Sequence, residues 1–101
     1  MNFDQVRQAR ELKSKMEKIQ KEMDKTLVEG EAGKGAVKIT MTGQMKVKSV
    51  KIDPSIIDPM NEKKLEELVQ KAITDAIEKS QKEAAKQLKE LTGGLKIPGL
   101  F

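Results

Sequence analysis

Residues 37 to 47 alternate: Val37, Ile39 and Met41, then Met45 and Val47, interleaved with Lys38, Thr40, Thr42 and Lys46, with Lys48 continuing the polar phase. A period of two marks a strand with one buried face, because successive side chains point to opposite sides of a pleated sheet. Lysine in the second phase means that the other face meets water or an anion. Long charged stretches with helical spacing flank this run. The chain therefore reads as an α+β fold of order α-β-β-β-α, with a small three-stranded antiparallel sheet between a long N-terminal and a long C-terminal helix.

The first helix is expected over about 3–25, where neither Pro nor Gly occurs and Ala9, Leu12, Met16, Ile19 and Met23 recur at steps of three and four. Such a narrow seam is that of a coiled coil. At ~1.5 Å per residue the helix is ~35 Å long, whereas a compact domain of about 100 residues has a radius of gyration of ~13 Å. It must project or pair with another rod. The second helix, about 61–92, follows Asn61 as its N-cap and carries a wide stripe of Leu65, Leu68, Val69, Ala72, Ile73, Ala76 and Ile77, narrowing to Ala84, Leu88 and Leu91. One small sheet cannot cover two such rods. Leu12, Met16, Ile19, Met23, Ala72, Ala76, Ala84 and Leu88 are accordingly assigned to a homodimer interface.

The sheet occupies about 26–53. Leu27 and Val28 suit a short edge strand and Gly30 to Gly35 a flexible connector; Gly35 opens the main strand, which runs through Thr42, and Met45 to Ile52 returns. A three-residue turn, Thr42-Gly43-Gln44, would place Met41 opposite Met45, Ile39 opposite Val47 and Lys38 opposite Lys48. The apolar phase then shifts to Val50 and Ile52, which a bulge near Lys48-Ser49 would reconcile. Asp53-Pro54 ends the strand. A tail over 93–101, with Ile97, Leu100 or Phe101 docked on apolar surface, completes a single domain spanning 1–101.

The chain has no His, Cys, Trp or Tyr. That removes the thiol nucleophile, the imidazole base and the cysteine or histidine metal site. Asp53 and Asp58 precede prolines, as turn residues do, and the remaining acids alternate with lysines on helix surfaces. Gly30-Glu31-Ala32-Gly33-Lys34-Gly35 has two glycines at phosphate-loop spacing, yet Ala36-Val37 stand where Lys-Ser/Thr is needed and a strand follows instead of a helix. Its Gly-x-x-Gly carries Glu31, which would repel a phosphate backbone. No apolar run approaches the ~18 residues of a membrane span, and Met1-Asn2-Phe3-Asp4 has no signal-peptide character. The expectation is a cytoplasmic protein with no enzymatic activity, cofactor, metal, membrane or small-molecule substrate.

Charge points elsewhere. There are 20 basic and 16 acidic residues, a net of +4, with 7 basic against 5 acidic in residues 1–25 and 8 against 8 in residues 58–101. Arg7, Arg10, Lys18, Lys21 and Lys25 recur at helical spacing and could line one ridge that follows phosphates; Lys13 joins them as a candidate, with Lys82, Lys86 and Lys89 of the second helix. A solvated coiled-coil flank explains the same charges, because Glu11, Glu17, Glu22 and Asp24 intervene. Lys38, Lys46, Lys48 and Lys51 form a second basic group, which a solvated sheet face also explains. With two Phe and no other aromatic, the chain lacks platforms for stacking exposed bases, which disfavours single-strand recognition.

Three stretches in series, Gly35-Ala36-Val37-Lys38-Ile39-Thr40-Met41-Thr42-Gly43, Val50-Lys51-Ile52-Asp53-Pro54 and the tail Leu91-Thr92-Gly93-Gly94-Leu95-Lys96-Ile97-Pro98-Gly99-Leu100-Phe101, resemble the YbaB/EbfC family of bacterial nucleoid-associated proteins. Leu65-Glu66-Glu67-Leu68-Val69 with Ala72 and Ala76 is similar to the family's second helix. The resemblance implies an intertwined homodimer with projecting helical arms, located in the nucleoid, that binds double-stranded DNA with loose sequence preference and compacts or bends it. The alternative reading is a helical protein-interaction module without direct DNA binding.

Overall fold

In the computed structural model, residues 3–91 are described. The order is α1 (Phe3–Lys25), β1 (Leu27–Ala32), β2 (Val37–Thr42), β3 (Val47–Ile52), one 3-10 turn (Pro54–Ile56) and α2 (Glu62–Leu91). The strands form one antiparallel sheet in the order β1-β2-β3. The expected docking of Ile97, Leu100 or Phe101 lies outside the described residues.

Alternation along β2 does what a half-buried strand requires: Val37, Ile39 and Met41 are buried, Lys38 is exposed and Thr40 is half-buried. The buried phase meets α2 through Ala72 and Ala76, with Val28, Ile52, Leu65, Leu68, Val69 and Ile77 packed around them. Burial of each large aliphatic side chain is worth ~1.5–3 kcal/mol. The small alanines let α2 approach β1 closely. A Cβ on Gly30 would overlap the backbone of Ala72 and Ala76.

The segment expected to be a flexible connector is instead ordered strand as far as Ala32, paired residue by residue with β2 from Leu27↔Thr42 to Ala32↔Val37. Gly30 belongs in that strand because of the close approach of α2, not because the chain turns there. Only residues 33–36 turn, with Gly33, Lys34 and Gly35 at φ of 64°, 57° and 85°.

The hairpin register also differs from expectation. Met41 pairs with Val47, Ile39 with Val50 and Lys38 with Lys51. Thr42 N–H donates to the Lys46 carbonyl at 2.9 Å, so the loop has three residues but they are Gly43, Gln44 and Met45. The left-handed residue that closes such a loop is Met45 (φ 63°). Gly43 serves another purpose: its N–H donates to the Met23 carbonyl at 2.9 Å, and a Cβ there would stand 2.9 Å from that oxygen. The extra residue between Val47 and Ser49 is Lys48, which is the bulge expected near Lys48-Ser49.

Beyond the sheet α1 and α2 continue side by side. Gln87 Nε2 donates to Thr26 Oγ1, while Lys18 and Glu22 share a groove with Gln87 and Glu90. Thus α1 runs towards the sheet and α2 away from it. The resulting body measures 68 × 20 × 20 Å, with a radius of gyration of 18.9 Å.

Candidate nucleic-acid interface

On a helix turning about 100° per residue, Arg7, Arg10, Lys18, Lys21 and Lys25 fall within an arc of about 80°. Ile19 and Met23 lie on the opposite side. Ile19 is buried and Met16 and Met23 are half-buried, so packing turns Arg7, Arg10, Lys21 and Lys25 outward, while Lys18, at one margin of the arc, borders α2 beside Glu22, Gln87 and Glu90; all five are exposed. Arg7 and Arg10 share a shallow groove of about 370 Å³ with Phe3, Val6 and Glu11. Lys13 stands apart: it falls about 60° outside the arc, on the side of Glu17 and Asp24. Lys25, at the inner end of α1, is in the arc.

The α2 candidates are also exposed. Lys82 and Lys86 line a groove of about 400 Å³ together with Lys79, Val28, Glu29 and Glu83. Two carboxylates there offset part of the positive potential. Lys89 is exposed farther along α2.

A polar device missed by sequence reasoning guards the outer edge of β1. Asp75 accepts the Glu31 N–H at 3.0 Å, Lys79 donates to the Glu29 carbonyl at 3.0 Å, and the two side chains pair at 3.0 Å. The edge's free donor and acceptor are thereby satisfied by one i,i+4 pair of α2. The backbone N–H of Glu31, and secondarily Lys79, holds the Asp75 carboxyl below the usual carboxylate range. Sequence shows the Asp-Lys spacing but not its target, which is more than 40 positions away.

Among the described residues the opposite edge has no such cover. Val50 is 52% exposed although its strand partner Ile39 is 1% exposed, and Val47 is 53% exposed beside Met41 at 2%. An open apolar groove of about 460 Å³ also runs along α2, lined by Leu65, Glu66, Val69, Gln70, Ile73 and Thr74.

Several residues assigned to a dimer interface are already covered within this chain. Ala72 and Ala76 are wholly buried against β1 of the same chain, and Ile19 is 1% exposed. Within this chain α2 uses its small-residue stripe to close on its own sheet. Met16, Met23, Ala84 and Leu88 are half-buried where the helices meet, and Leu12 is exposed.

Among the described residues no group of three or more Asp or Glu could hold a metal ion, and no helix is long and apolar enough to cross a membrane. The arrangement offers rows of cations and one unfinished apolar face. A family model described as the YbaB/EbfC DNA-binding family matches residues 1–95. The chain belongs to the YbaB/EbfC DNA-binding family. It is 44% identical over 100 residues to a nucleoid-associated protein of Dictyoglomus turgidum, covering 98% of this chain and 96% of that one. A nucleoid-associated protein of Chloroflexus aurantiacus is 42% identical over 102 residues, covering 100% of both. The fold matches the crystal structure of an uncharacterized protein from Helicobacter pylori with a TM-score of 0.68 at 18% identity, over 92% of this chain and 95% of that one. The YbaB/EbfC chain thus has the α-β-β-β-α order expected from its periodicities.

Proposed function

We propose that this YbaB/EbfC protein acts in the nucleoid as a homodimer that binds duplex DNA with little sequence preference and alters its conformation, contributing to nucleoid organisation and gene regulation. The row of Arg7, Arg10, Lys18, Lys21 and Lys25 on the free side of α1, in a chain of a DNA-binding family, carries this reading. Contacts from such a row go to phosphates, which are the same for every sequence. Lys82, Lys86 and Lys89 add to it, and Lys13 contributes less.

The dimer surface in this reading is the α2–β3 face, where Val47, Val50 and Ile73 remain exposed beside a complete core. These side chains are 38–53% exposed, so covering what remains would recover about half of the ~1.5–3 kcal/mol that full burial of each is worth, a sizeable share of a small domain's ~5–15 kcal/mol.

A gel-shift titration across salt tests the function. Four phosphate contacts per chain, eight per dimer, give a log-log slope of about −7, and Arg7→Ala with Arg10→Ala should flatten it equally for all duplexes. A parent protein that ignores duplex DNA and captures a protein through the apolar groove along α2, insensitive to salt, would establish the interaction-module reading instead.

A further inference from the structure

We propose that the outer face of the sheet is a second phosphate-binding surface, on which Lys38, Lys46 and Lys51 hold the same duplex that α1 grips. This rests on the duplex-binding reading above and extends its footprint from the arm to the body of the protein.

The placement follows from how α2 is used. Ala72 and Ala76 press on the sheet, Ser80 Oγ donates to the Thr42 carbonyl at the sheet's end (2.8 Å), and Gln87 reaches Thr26 at the end of α1. These four positions fall within an arc of about 80° on α2, so the sheet and α1 lie beneath the same side of one roof. Whatever points away from that roof shares a face. On α1 it is Arg7, Arg10, Lys21 and Lys25, with Lys18 at the margin beside α2; on β2 and β3 it is the phase opposite Val37, Ile39, Val50 and Ile52, which holds Lys38 and Lys51 as direct cross-strand partners. At the hairpin end the outward phase closes, because Thr42 is 1% exposed and its Oγ1 accepts the Gln44 and Lys46 N–H groups; Lys46 stands exposed beside it.

Two like charges directly opposite one another on a sheet are destabilising. Lys38 has partial relief from Glu29 at 3.7 Å, with both side chains about half exposed. No carboxylate among the described residues forms an ion pair with Lys46 or Lys51. Lysines on an edge strand such as β3 discourage unwanted strand pairing, but Lys38 sits on the central strand, where no edge needs guarding. A polyanion passing over β2 and β3 would satisfy the whole group. The acids of that face, Glu29 and Glu31, are confined to β1.

Length gives the proposal a measurable form. Arg7 to Lys25 spans ~27 Å of helix and a six-residue strand ~20 Å, together about 14 base pairs at ~3.4 Å per step. The α1 row alone covers about 8.

The test is fluorescence anisotropy across salt with 24- and 8-base-pair duplexes, using the parent, a Lys38→Gln/Lys51→Gln variant, a separate Lys46→Gln variant and an Arg7→Ala/Arg10→Ala variant. On the long duplex the double lysine variant should lose about 1.8 per chain from the salt slope and Lys46→Gln about 0.9, while the 8-base-pair duplex binds both as it binds the parent. The lysine variants should melt at or above the parent temperature, because like-charge repulsion is relieved. Parental slopes on 24 base pairs, or equal losses on both lengths, would overturn the proposal. If the arginine variant alone loses affinity, duplex binding stands and the sheet surface does not. A parent that binds neither duplex removes both.

Discussion

Gly30 of β1 and Ala76 of α2 meet backbone to backbone, leaving no volume for a side chain on the strand. That contact sets how closely the long helix lies on the sheet, and through it how far Val37, Ile39 and Met41 are shielded from water.

Gly30→Val should therefore force α2 away from β1. Overpacking of this kind costs ~1–3 kcal/mol, and a backbone obstacle with no flexible side chain to yield places it at the upper end. A loss of about 3 kcal/mol corresponds to roughly 12–24 °C in a domain of this size. A thermal melt within a few degrees of the parent would show that the helix is free to lift.

The pair Asp75–Lys79 makes the β1 edge acid-sensitive. Asp75 is held below its ordinary value by the Glu31 N–H and Lys79, and Asp53 by the backbone and side chain of Ser55. A carboxyl whose folded value is lowered contributes stability above its unfolded value, and that contribution is lost as pH falls through the folded one. Denaturant melts should thus weaken below about pH 4, the ordinary carboxylate range. Asp75→Asn should flatten that limb and leave the edge amide of Glu31 more open to hydrogen exchange; an unchanged acid limb would exclude the role.

On the exposed edge of β3, Val50→Asp places a charge in the proposed interface, so the dimer should dissociate and the melt should fall by the stabilisation that association supplied. Light scattering of the parent at about twice 11.3 kDa, against about 11.3 kDa for the variant, is the expected result. A dimer that survives Val50→Asp but fails with Leu12→Asp would place the interface on the rods.

Lys13 and Lys21 make a direct comparison, since both are exposed on the same helix and only Lys21 lies in the outward arc. Lys21→Ala should lower the salt slope by about 0.9 per chain, and Lys13→Ala by clearly less. Equal effects would mean that total charge matters and the ridge does not.

Where the two helices part from the sheet, Gln87 Oε1 is buried without a hydrogen-bond partner, while Nε2 donates to Thr26 Oγ1. An unsatisfied buried acceptor costs ~1–3 kcal/mol and an ordinary hydrogen bond contributes ~0.5–1.5 kcal/mol. Gln87→Met should be neutral to stabilising by about 1 kcal/mol in chemical denaturation, with Thr26 Oγ1 still donating to the Glu22 carbonyl at 2.8 Å. Marked destabilisation would show that the amide is satisfied in solution.

Periodicity alone determined the order α-β-β-β-α, both helix spans, the buried phase of β2, the bulge at Lys48 and the outward cationic row of α1, because each depends on residues a few positions apart. Tertiary structure decided which apolar residues one chain keeps for itself. Leu12 and Ile19 carry the same local pattern, yet Leu12 remains exposed while Ile19 is buried. It also decided that Gly30 belongs to a strand, that Met45 rather than Gly43 takes the left-handed position, and that Lys38 faces Lys51. Those outcomes turn on contacts such as Ser80 with Thr42 and Asp75 with Glu31, 38 and 44 positions apart. A local pattern specifies which face of an element is apolar; only the packed chain specifies what covers it.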